Sequence, residues 1–182
     1  MNIGDNELLE MLRSEETRDD GFRMLMQKFG RAIYWNIRRI VVGHDDAEDV
    51  MQETCVRILE NISRFNGDCQ LSTWIYRIAV NEALASLRRR TRLFQSIDSL
   101  GESLTETLIA ENDIDSNRVE FLMQKALLTL PAQQRIAFNL RYYDDLSYEE
   151  ISKITGKSVG SLKTNYHYAY EKIKQFINSN SE

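Results

Sequence analysis

The sequence has 182 residues, of which 42% are hydrophobic and 28% charged, as is ordinary for one medium or two small globular domains. A single proline and eight glycines disfavour turn-rich β architectures, so helix is expected throughout. No apolar run reaches the roughly 18 residues needed to span a bilayer, and residues 1–10 lack the apolar segment of a secretory signal, which predicts a cytoplasmic protein.

The residues that would bind a metal or carry out covalent chemistry are not clustered in the sequence. Cys55 and Cys69 form no CxxC pair, and the two histidines are far apart. A structural zinc site needs about four ligands, and we find no nucleophile–base pair and no phosphate-binding glycine loop. We therefore expect no metal, no cofactor and no enzymatic activity.

Residues 1–95 show apolar residues at helical spacing and are expected to form an N-terminal helical domain. One stripe runs from residue 22 to residue 40. After a break at residues 43–46, Asp45 or Asp46 is expected to cap a second helix. A third helix, capped by Ser72 or Thr73, is expected to end at three consecutive arginines, residues 88–90, which suit the negative end of a helix.

Residues 96–120 read as an acidic linker. This segment contains seven acidic residues and one basic residue, and its few apolar residues show little periodicity. Repulsion between like charges is expected to keep such a segment extended. A solvated surface helix at residues 104–110 is the other interpretation of the same pattern.

Residues 121–182 are expected to form a second helical domain with a slight excess of positive charge. Ser147 and Glu150 have the spacing of a capping box, and Gly156 suits the left-handed position after a helix. Ser158 or Ser161 is expected to cap the next helix. Two helices joined by such a turn are typical of a DNA-reading helix-turn-helix, although an ordinary helical hairpin with a solvated polar face has the same pattern.

The second helix of this unit offers side chains suited to DNA. Lysine and threonine contact phosphates and bases, and asparagine suits adenine. The exposed residues are expected to be Ser161, Lys163, Thr164, Asn165, His167 and Tyr168.

Two further polar groups lie in the N-terminal domain. Asp49, Gln52 and Glu53 share one side of a helix and are suited to a basic partner, although solvated helix faces carry similar residues. Aromatic, amide and arginine residues are interleaved from residue 65 to residue 92, a combination that suits unpaired bases. Trp74 and Tyr76 are equally consistent with a place in the core.

Taken together, three segments resemble bacterial sigma factors. Residues 46–53 (DAEDVMQE) resemble their polymerase-core-binding segment, and residues 65–81 resemble their −10-element segment. Leu130-Pro131, residues 146–151 (LSYEEI) and residues 158–163 (SVGSLK) resemble their −35-reading domain. The short length and the missing intermediate domain make the chain similar to the extracytoplasmic-function type. The resemblance covers residues 20–92 and 121–175.

The resemblance implies an all-α protein of two small domains joined by the acidic linker, which binds core RNA polymerase, directs it to promoter DNA and assists melting. Asp49, Gln52 and Glu53 would contact the polymerase, and the helix-turn-helix residues named above would contact the −35 element. The residues implied for the −10 element are Phe65, Asn66, Gly67, Asp68, Leu71, Trp74, Arg77, Asn81 and Arg88. An anti-sigma protein, often membrane-anchored, is a further implied partner.

Two other functions fit part of this pattern. A stand-alone transcriptional regulator with an N-terminal sensor or dimerisation domain would need only the helix-turn-helix. A protein-interaction module related to sigma factors would keep the fold without DNA activity.

Overall fold

A computed structural model describes residues 4–93, 104, 106, 107 and 118–180. These residues are helical apart from short connections, and none of them forms a strand, which confirms the predicted all-α class. Eight α-helices are delimited as follows: α1 Asp5–Arg13, α2 Arg18–Val41, α3 His44–Asn61, α4 Leu71–Leu93, α5 Arg118–Leu128, α6 Ala132–Tyr142, α7 Tyr148–Thr155 and α8 Val159–Ser179. A short 3₁₀ helix, Ile62–Arg64, follows α3.

Helices α1 to α4 form the N-terminal lobe. The apolar stripe predicted on α2 faces its core, where Leu25, Ile33 and Ile37 are fully buried. Helix α1 was not expected, because residues 1–10 look polar and acidic. Leu8 and Leu12, one turn apart, are nonetheless fully buried, so α1 packs on α2 through this narrow apolar edge.

Two helices of this lobe begin at residues other than those predicted. Helix α3 is preceded by Gly43, with no side-chain cap, and the two aspartates expected as caps lie in its first turn. There they still stabilise the positive end of the helix. Helix α4 begins at Leu71, because the Trp74 N–H already donates to the Gln70 carbonyl, so Ser72 and Thr73 lie inside the first turn.

Helices α5 to α8 form the C-terminal lobe, and its local signals are confirmed. Ser147 accepts from the Glu150 N–H while the Glu150 carboxylate accepts from the Ser147 N–H, which completes the capping box. Gly156 has a φ of 70° and ends α7 in the left-handed conformation. Ser158, rather than Ser161, caps α8 by accepting from the Ser161 N–H at 3.2 Å.

The two lobes are in direct contact. Helix α4 packs on α7, and α2 packs on α6. Apolar residues of the C-terminal lobe join the main core of the N-terminal lobe, and we call this continuous cluster the shared core. The C-terminal residues in it are Ile136, Ala137, Leu140, Ile151, Ile154 and Leu162.

Only part of the predicted acidic linker lies within the described residues. Leu104, Glu106 and Thr107 are helical, and Leu104 is buried in the shared core, only 3% exposed. An extended chain was expected at this point, with a solvated surface helix at residues 104–110 as the alternative; the helical residues agree with the alternative, but the burial of Leu104 agrees with neither. The difference arises because a single leucine has no periodicity to reveal it, while burying it removes a large apolar side chain from water.

Candidate nucleic-acid interface

The helix-turn-helix presents most of its predicted DNA-contacting residues to solvent. Ser161, Lys163, Thr164, His167 and Tyr168 are exposed, and Asn165 is half-buried. Their helix α8 is fixed from below by Leu162, which is buried against α7. The local capping described above therefore sets the position of this face without using any of its exposed side chains.

Two side chains on this face are restrained from within the lobe. The Thr164 hydroxyl donates to the Gly160 carbonyl at 3.0 Å, which leaves its methyl group and its oxygen lone pairs available. The Lys163 ammonium lies 5.7 Å from the centre of the Tyr148 ring, within cation–π range. Lys163 is thus held near the N-terminal end of α8.

The loop between the 3₁₀ helix and α4 has the structure of a tight turn. Gly67 has a φ of 82°, and Asn66 accepts from the Asp68 N–H at 3.3 Å. Asn66, Gly67 and Asp68 are exposed. Below them, the rings of Phe65 and Trp74 pack with their centres 5.5 Å apart.

Three of the residues predicted to contact the −10 element are buried. Phe65, Leu71 and Trp74 are 7%, 2% and 8% exposed and belong to the shared core. In this conformation Phe65 and Leu71 shape the loop from below, while Trp74 also lines two cavities of the adjacent surface. The three are buried because they lie on the inner side of the turn, where large apolar side chains leave water.

Three further residues predicted for the −10 element, beside the exposed loop residues 66–68, form an exposed stripe on α4. Arg77, Asn81 and Arg88 are exposed and recur at four and seven residues, so they lie on one side of the helix. An open cavity of about 250 Å³ lies beside this stripe. Its lining residues are Arg57, Asn61, Arg64, Trp74, Ile78, Asn81 and Glu82.

Arg57 and Arg64 were missed by the sequence analysis. They belong to α3 and the 3₁₀ helix, and only the packing of α3 on α4 brings them to Asn81. Arg57 is partly neutralised, because its Nε lies 3.4 Å from the Glu82 carboxylate. The cavity therefore combines cationic, amide and aromatic groups, the set that binds an unstacked base and its phosphate.

The predicted polymerase-contacting patch is on the outer side of α3. Asp49 and Gln52 are exposed, whereas Glu53 is half-buried and both its carboxylate oxygens accept from Arg89 of α4, at 2.9 and 3.1 Å. Glu53 is therefore preoriented, and part of its charge is already balanced. Asp49 and Gln52 remain the groups most accessible to a partner.

A second cavity, of about 370 Å³, lies where the loop between the 3₁₀ helix and α4 meets the C-terminal lobe. It is lined by Arg64, Asn66, Asp68, Cys69, Trp74, Arg77 and, from α7, Lys153. The first helix of the helix-turn-helix, α7, thus contributes to the surroundings of this loop. No sequence signal indicated this contact, because it joins residues more than 70 positions apart.

Neither a membrane-spanning helix nor a metal site is found in the part of the chain that the structure covers. None of those helices combines the length and apolar character that crossing a bilayer requires. Likewise, no three histidine, cysteine or acidic side chains within that part are grouped as metal ligands.

Two family models match the chain, one in each lobe. Residues 25–93 match Sigma-70 region 2, and residues 120–173 match Sigma-70, region 4. The first range contains the loop between the 3₁₀ helix and α4 and the patch of Asp49, Gln52 and Glu53, and the second contains the helix-turn-helix.

Characterised proteins match over nearly the whole length. The chain is 30% identical to the RNA polymerase sigma-H factor of Pseudomonas aeruginosa, covering 95% of this chain and 93% of that protein. It is 30% identical to the ECF RNA polymerase sigma-E factor of Escherichia coli, with 94% and 93% covered. It is 27% identical to the ECF RNA polymerase sigma factor SigW of Bacillus subtilis, with 86% and 88% covered.

Two solved structures share the fold. The sigma factor RpoE of Bartonella quintana, in complex with the anti-sigma factor NepR, superposes with a TM-score of 0.68 at 21% identity, covering 87% of this chain and 98% of that one. CnrH, in complex with the cytosolic domain of CnrY, superposes with a TM-score of 0.70 at 18% identity, covering 97% and 99%.

Proposed function

Since this chain belongs to the extracytoplasmic-function (ECF) group of bacterial RNA polymerase sigma factors, we propose that it binds core polymerase through α3 and reads promoter DNA at two sites, one on each lobe. The −35 site is the exposed face of α8, and the −10 site is the loop at residues 66–68 with the adjacent stripe on α4. The observation that carries this assignment is the exposed Arg77, Asn81 and Arg88 stripe beside a cationic cavity. Transcription is a cytoplasmic process, so the proposed site of action is the cytoplasm.

The proposed action on DNA is non-covalent. Asn81 and the loop amide of Asn66 would hold a flipped −10 base, while Arg57, Arg64 and Arg77 would neutralise phosphates of the melted strand. Phe65 and Leu71 would support the loop from beneath, and the part of Trp74 that lines the cavity would be available to a base. The net charge of −5 gives the free chain little general affinity for DNA, so promoter reading would depend on the polymerase.

A partner that covers these surfaces is also proposed. Of the solved structures that share the fold, one is a complex with the anti-sigma factor NepR and another is a complex with the cytosolic domain of CnrY. We propose that an anti-sigma protein regulates this chain as well, and a membrane-anchored one is compatible with the second example. A stand-alone regulator would not require the α3 patch, and an interaction module would not require the cationic cavity.

Polymerase binding is tested by substitution on α3. Asp49→Ala with Gln52→Ala should weaken binding to core polymerase by about tenfold or more, because loss of paired polar groups at an interface typically costs a few kcal/mol. Glu60→Ala, on the same helix and also exposed, is the matched control and should bind normally. Equal capture of both variants by immobilised core enzyme would argue against this use of α3.

Reading of the −35 element is tested on α8. Lys163→Ala should reduce run-off transcription from a −35-dependent promoter and lower the salt dependence of holoenzyme binding by about one phosphate contact. Lys174→Ala, exposed on the same helix three turns later, should leave both unchanged. No transcript from any promoter in a library, even with wild-type protein bound to core, would favour the interaction-module alternative.

A further inference from the structure

Helix α1 makes a polar contact with the chain that leads into the loop before α4. Arg13, in the last turn of α1, donates from Nη2 to the main-chain carbonyl of Phe65, 52 positions away. Phe65 is the last residue before the exposed loop at residues 66–68, which is part of the proposed −10 site. The contact therefore joins a helix with no assigned role to the start of a DNA-reading loop.

Phe65 is anchored at three points. Its N–H donates to the Ile62 carbonyl at 3.2 Å, and its ring packs on the ring of Trp74. These two contacts are made with the 3₁₀ helix and with α4. Arg13 supplies the third contact, at the carbonyl, which is the part of Phe65 that leads directly into Asn66.

The other end of the loop segment is anchored by α4. The Gln70 carbonyl accepts from the Trp74 N–H at 3.1 Å and so takes part in the first turn of that helix. Between the two ends, Asn66 Nδ2 donates to Asp68 Oδ2 at 2.5 Å, which joins residues of the loop to each other. Bonds within a turn set its shape, whereas its direction relative to α4 is set by the anchors at its two ends.

The tip of the loop stands clear of the surrounding helices. A Cβ placed on Gly67 would meet no atom of the described residues within 4 Å, its chain neighbours apart. Residues 66–68 are also exposed. Because exposed loops are otherwise mobile, such a turn keeps one direction only if the chain on either side of it is fixed.

Helix α1 is held firmly enough to act as a support. Leu8 and Leu12 are fully buried in the shared core. At the start of α1, Lys28 of α2 donates to the Asp5 carboxylate at 2.7 Å. Beyond its end, the Thr17 hydroxyl donates to the Met11 carbonyl at 3.0 Å. Arg13 therefore extends from a helix whose two ends are both fixed.

The space beside the contact would allow the loop to move if the contact were lost. An open cavity of about 500 Å³ lies between α1 and the loop, and Arg13, Asn66 and Gly67 are among the residues that line it. The hydrogen bond from Arg13 to the Phe65 carbonyl bridges the two sides of this cavity. Without that bond, the start of the loop could swing toward α1 or away from it.

An arginine is well suited to this contact. Its guanidinium carries five N–H donors in one plane, and a hydrogen bond from a charged donor is stronger than one between neutral groups. Arg13 is exposed overall, so its removal leaves no cavity in the core, and a variant without it should fold.

We propose that Arg13 is a positioning residue for promoter reading. By holding the Phe65 carbonyl, it fixes the direction in which residues 66–68 meet an unstacked base. It acts through the main chain of Phe65 and does not itself touch DNA. This inference rests on the proposed function for the use of the loop, whereas the support of the loop by Arg13 is a property of the free chain.

Nitrogen-15 NMR relaxation of the free chain tests the support. The amides of residues 66–68 should have order parameters of about 0.8 or more in the wild type, near those of rigid backbone, and about 0.6 or less in Arg13→Ala. Arg18→Ala, which removes the same charge from an exposed position at the start of α2, should leave them unchanged. Low values in the wild type, or wild-type values in Arg13→Ala, would overturn the proposal.

Run-off transcription tests the use of the loop. The templates are a promoter from the library that the wild-type holoenzyme transcribes, and derivatives with one substituted base in the −10 or the −35 element. The preference of Arg13→Ala for the parent over the −10 derivatives should fall by about threefold to tenfold, because an unsupported loop has to be ordered by the base itself. Its preference over the −35 derivatives and its affinity for core polymerase should match the wild type.

Two transcription results would contradict the positioning role. A preference for the −10 element that is unchanged in Arg13→Ala would mean that the support of the loop does not serve promoter reading. An equal loss of preference at both elements would indicate a general effect on the fold.

The salt dependence of promoter binding separates positioning from direct contact with DNA. Removing a residue that neutralises a phosphate lowers the salt slope by about one. Arg13→Ala should leave the slope of holoenzyme binding unchanged, as should Arg18→Ala. A slope lower by about one for Arg13→Ala alone would make Arg13 a DNA-contacting residue and would overturn the proposal.

The same measurements distinguish failure of this inference from failure of the proposed function. If the wild-type protein transcribes no promoter, the proposed function fails, while the order parameters of the free chain still decide whether Arg13 supports the loop. If the wild type transcribes and Arg13→Ala matches it in both order parameters and −10 preference, only the role of Arg13 is wrong.

Discussion

At the scale of single residues, the capping box at the start of α7 is the feature most directly set by the sequence. Ser147 and Glu150 exchange hydrogen bonds, and these bonds lower the pKa of the Glu150 carboxyl, chiefly through the serine side chain and then its N–H. A carboxyl whose pKa is lowered by folding adds stability above its unfolded pKa and loses that contribution as the pH falls through the folded value. The helix-turn-helix should therefore weaken in acid.

Ser147→Ala should destabilise the chain by about 1 kcal/mol, the usual effect of losing an N-cap, and should return the Glu150 pKa toward its ordinary range. Denaturant unfolding measures the first effect, and NMR titration of the carboxyl measures the second. Glu149→Gln, an exposed neighbour in the same first turn, is the control that should leave the Glu150 pKa low. A Glu150 pKa unchanged by Ser147→Ala would contradict this account.

At the scale of single residues, the sequence predicts some contacts and misses others. Ser147, Glu150, Gly156 and Ser158 act on atoms within three or four positions, so their roles follow from spacing alone. The partners Asn36 and Asp144 are 108 positions apart, and locally Asp144 indicates only the end of a helix. Side chains that find their partners through tertiary packing leave no trace in a single sequence.

At the scale of helices, the contact between α1 and α2 depends on the absence of a side chain at Gly21. A Cβ there would lie 2.9 Å from the Met11 Cβ and 3.0–3.1 Å from backbone atoms of α1. A Cβ at Gly30, the other glycine of α2, would lie 2.9 Å from the flexible end of the Met26 side chain. The two glycines thus occupy the same helix in different surroundings.

Gly21→Ala should destabilise the chain by about 1–3 kcal/mol, because rigid backbone of α1 has to move. Gly30→Ala should be neutral or stabilise by up to about 1 kcal/mol, because Met26 can rotate away and alanine favours helix. Thermal unfolding of the two variants side by side measures the difference. Equal losses at both positions would show that α1 does not pack closely on α2 in solution.

Helix α1 also shows where sequence patterns are insufficient. Its nine residues carry acidic groups around two buried leucines, a stripe too narrow to be noticed without knowing that α2 lies beside it. The longer helices α2 and α3 repeat their apolar spacing over several turns, so their inward faces were predicted correctly. Arg57 and Arg64, which line the cavity beside the exposed stripe of α4, come from elements that only the packing brings together.

At the scale of the whole molecule, Asp144 in the turn after α6 is buried against α2 of the N-terminal lobe, where it accepts a hydrogen bond from Asn36 at 2.7 Å and lies 3.5 Å from Arg39. Burial raises the pKa of Asp144, and it outweighs the opposing effects of Asn36, Arg39 and Tyr76. A group whose pKa is raised when the lobes are in contact stabilises that contact fully at a pH below the pKa it has in separated lobes. The contribution is lost as the pH rises through the pKa that the group has when the lobes are in contact.

The fraction of molecules with the two lobes in contact should therefore decrease as the pH rises through the raised pKa of Asp144. Small-angle scattering should record this as an increase in the radius of gyration of the free chain. The charged and titratable groups that face Asp144 are Arg39 of α2 and Tyr76 of α4, and the pKa of Tyr76 is itself raised, so its hydroxyl stays protonated. Asp144→Asn should remove the dependence, and a profile identical to the wild type would assign it to another group.

The unpaired buried atoms of Asn36, Arg135 and Asn139 carry a consequence for protein engineering. A selection for heat resistance alone would favour leucine or methionine at these positions, because filling a buried site with apolar atoms commonly raises the melting temperature. Such a selection would also remove the hydrogen bond between Asn36 of α2 and Asp144 of the C-terminal lobe. Selection for thermal stability would therefore act on a polar contact between the two lobes.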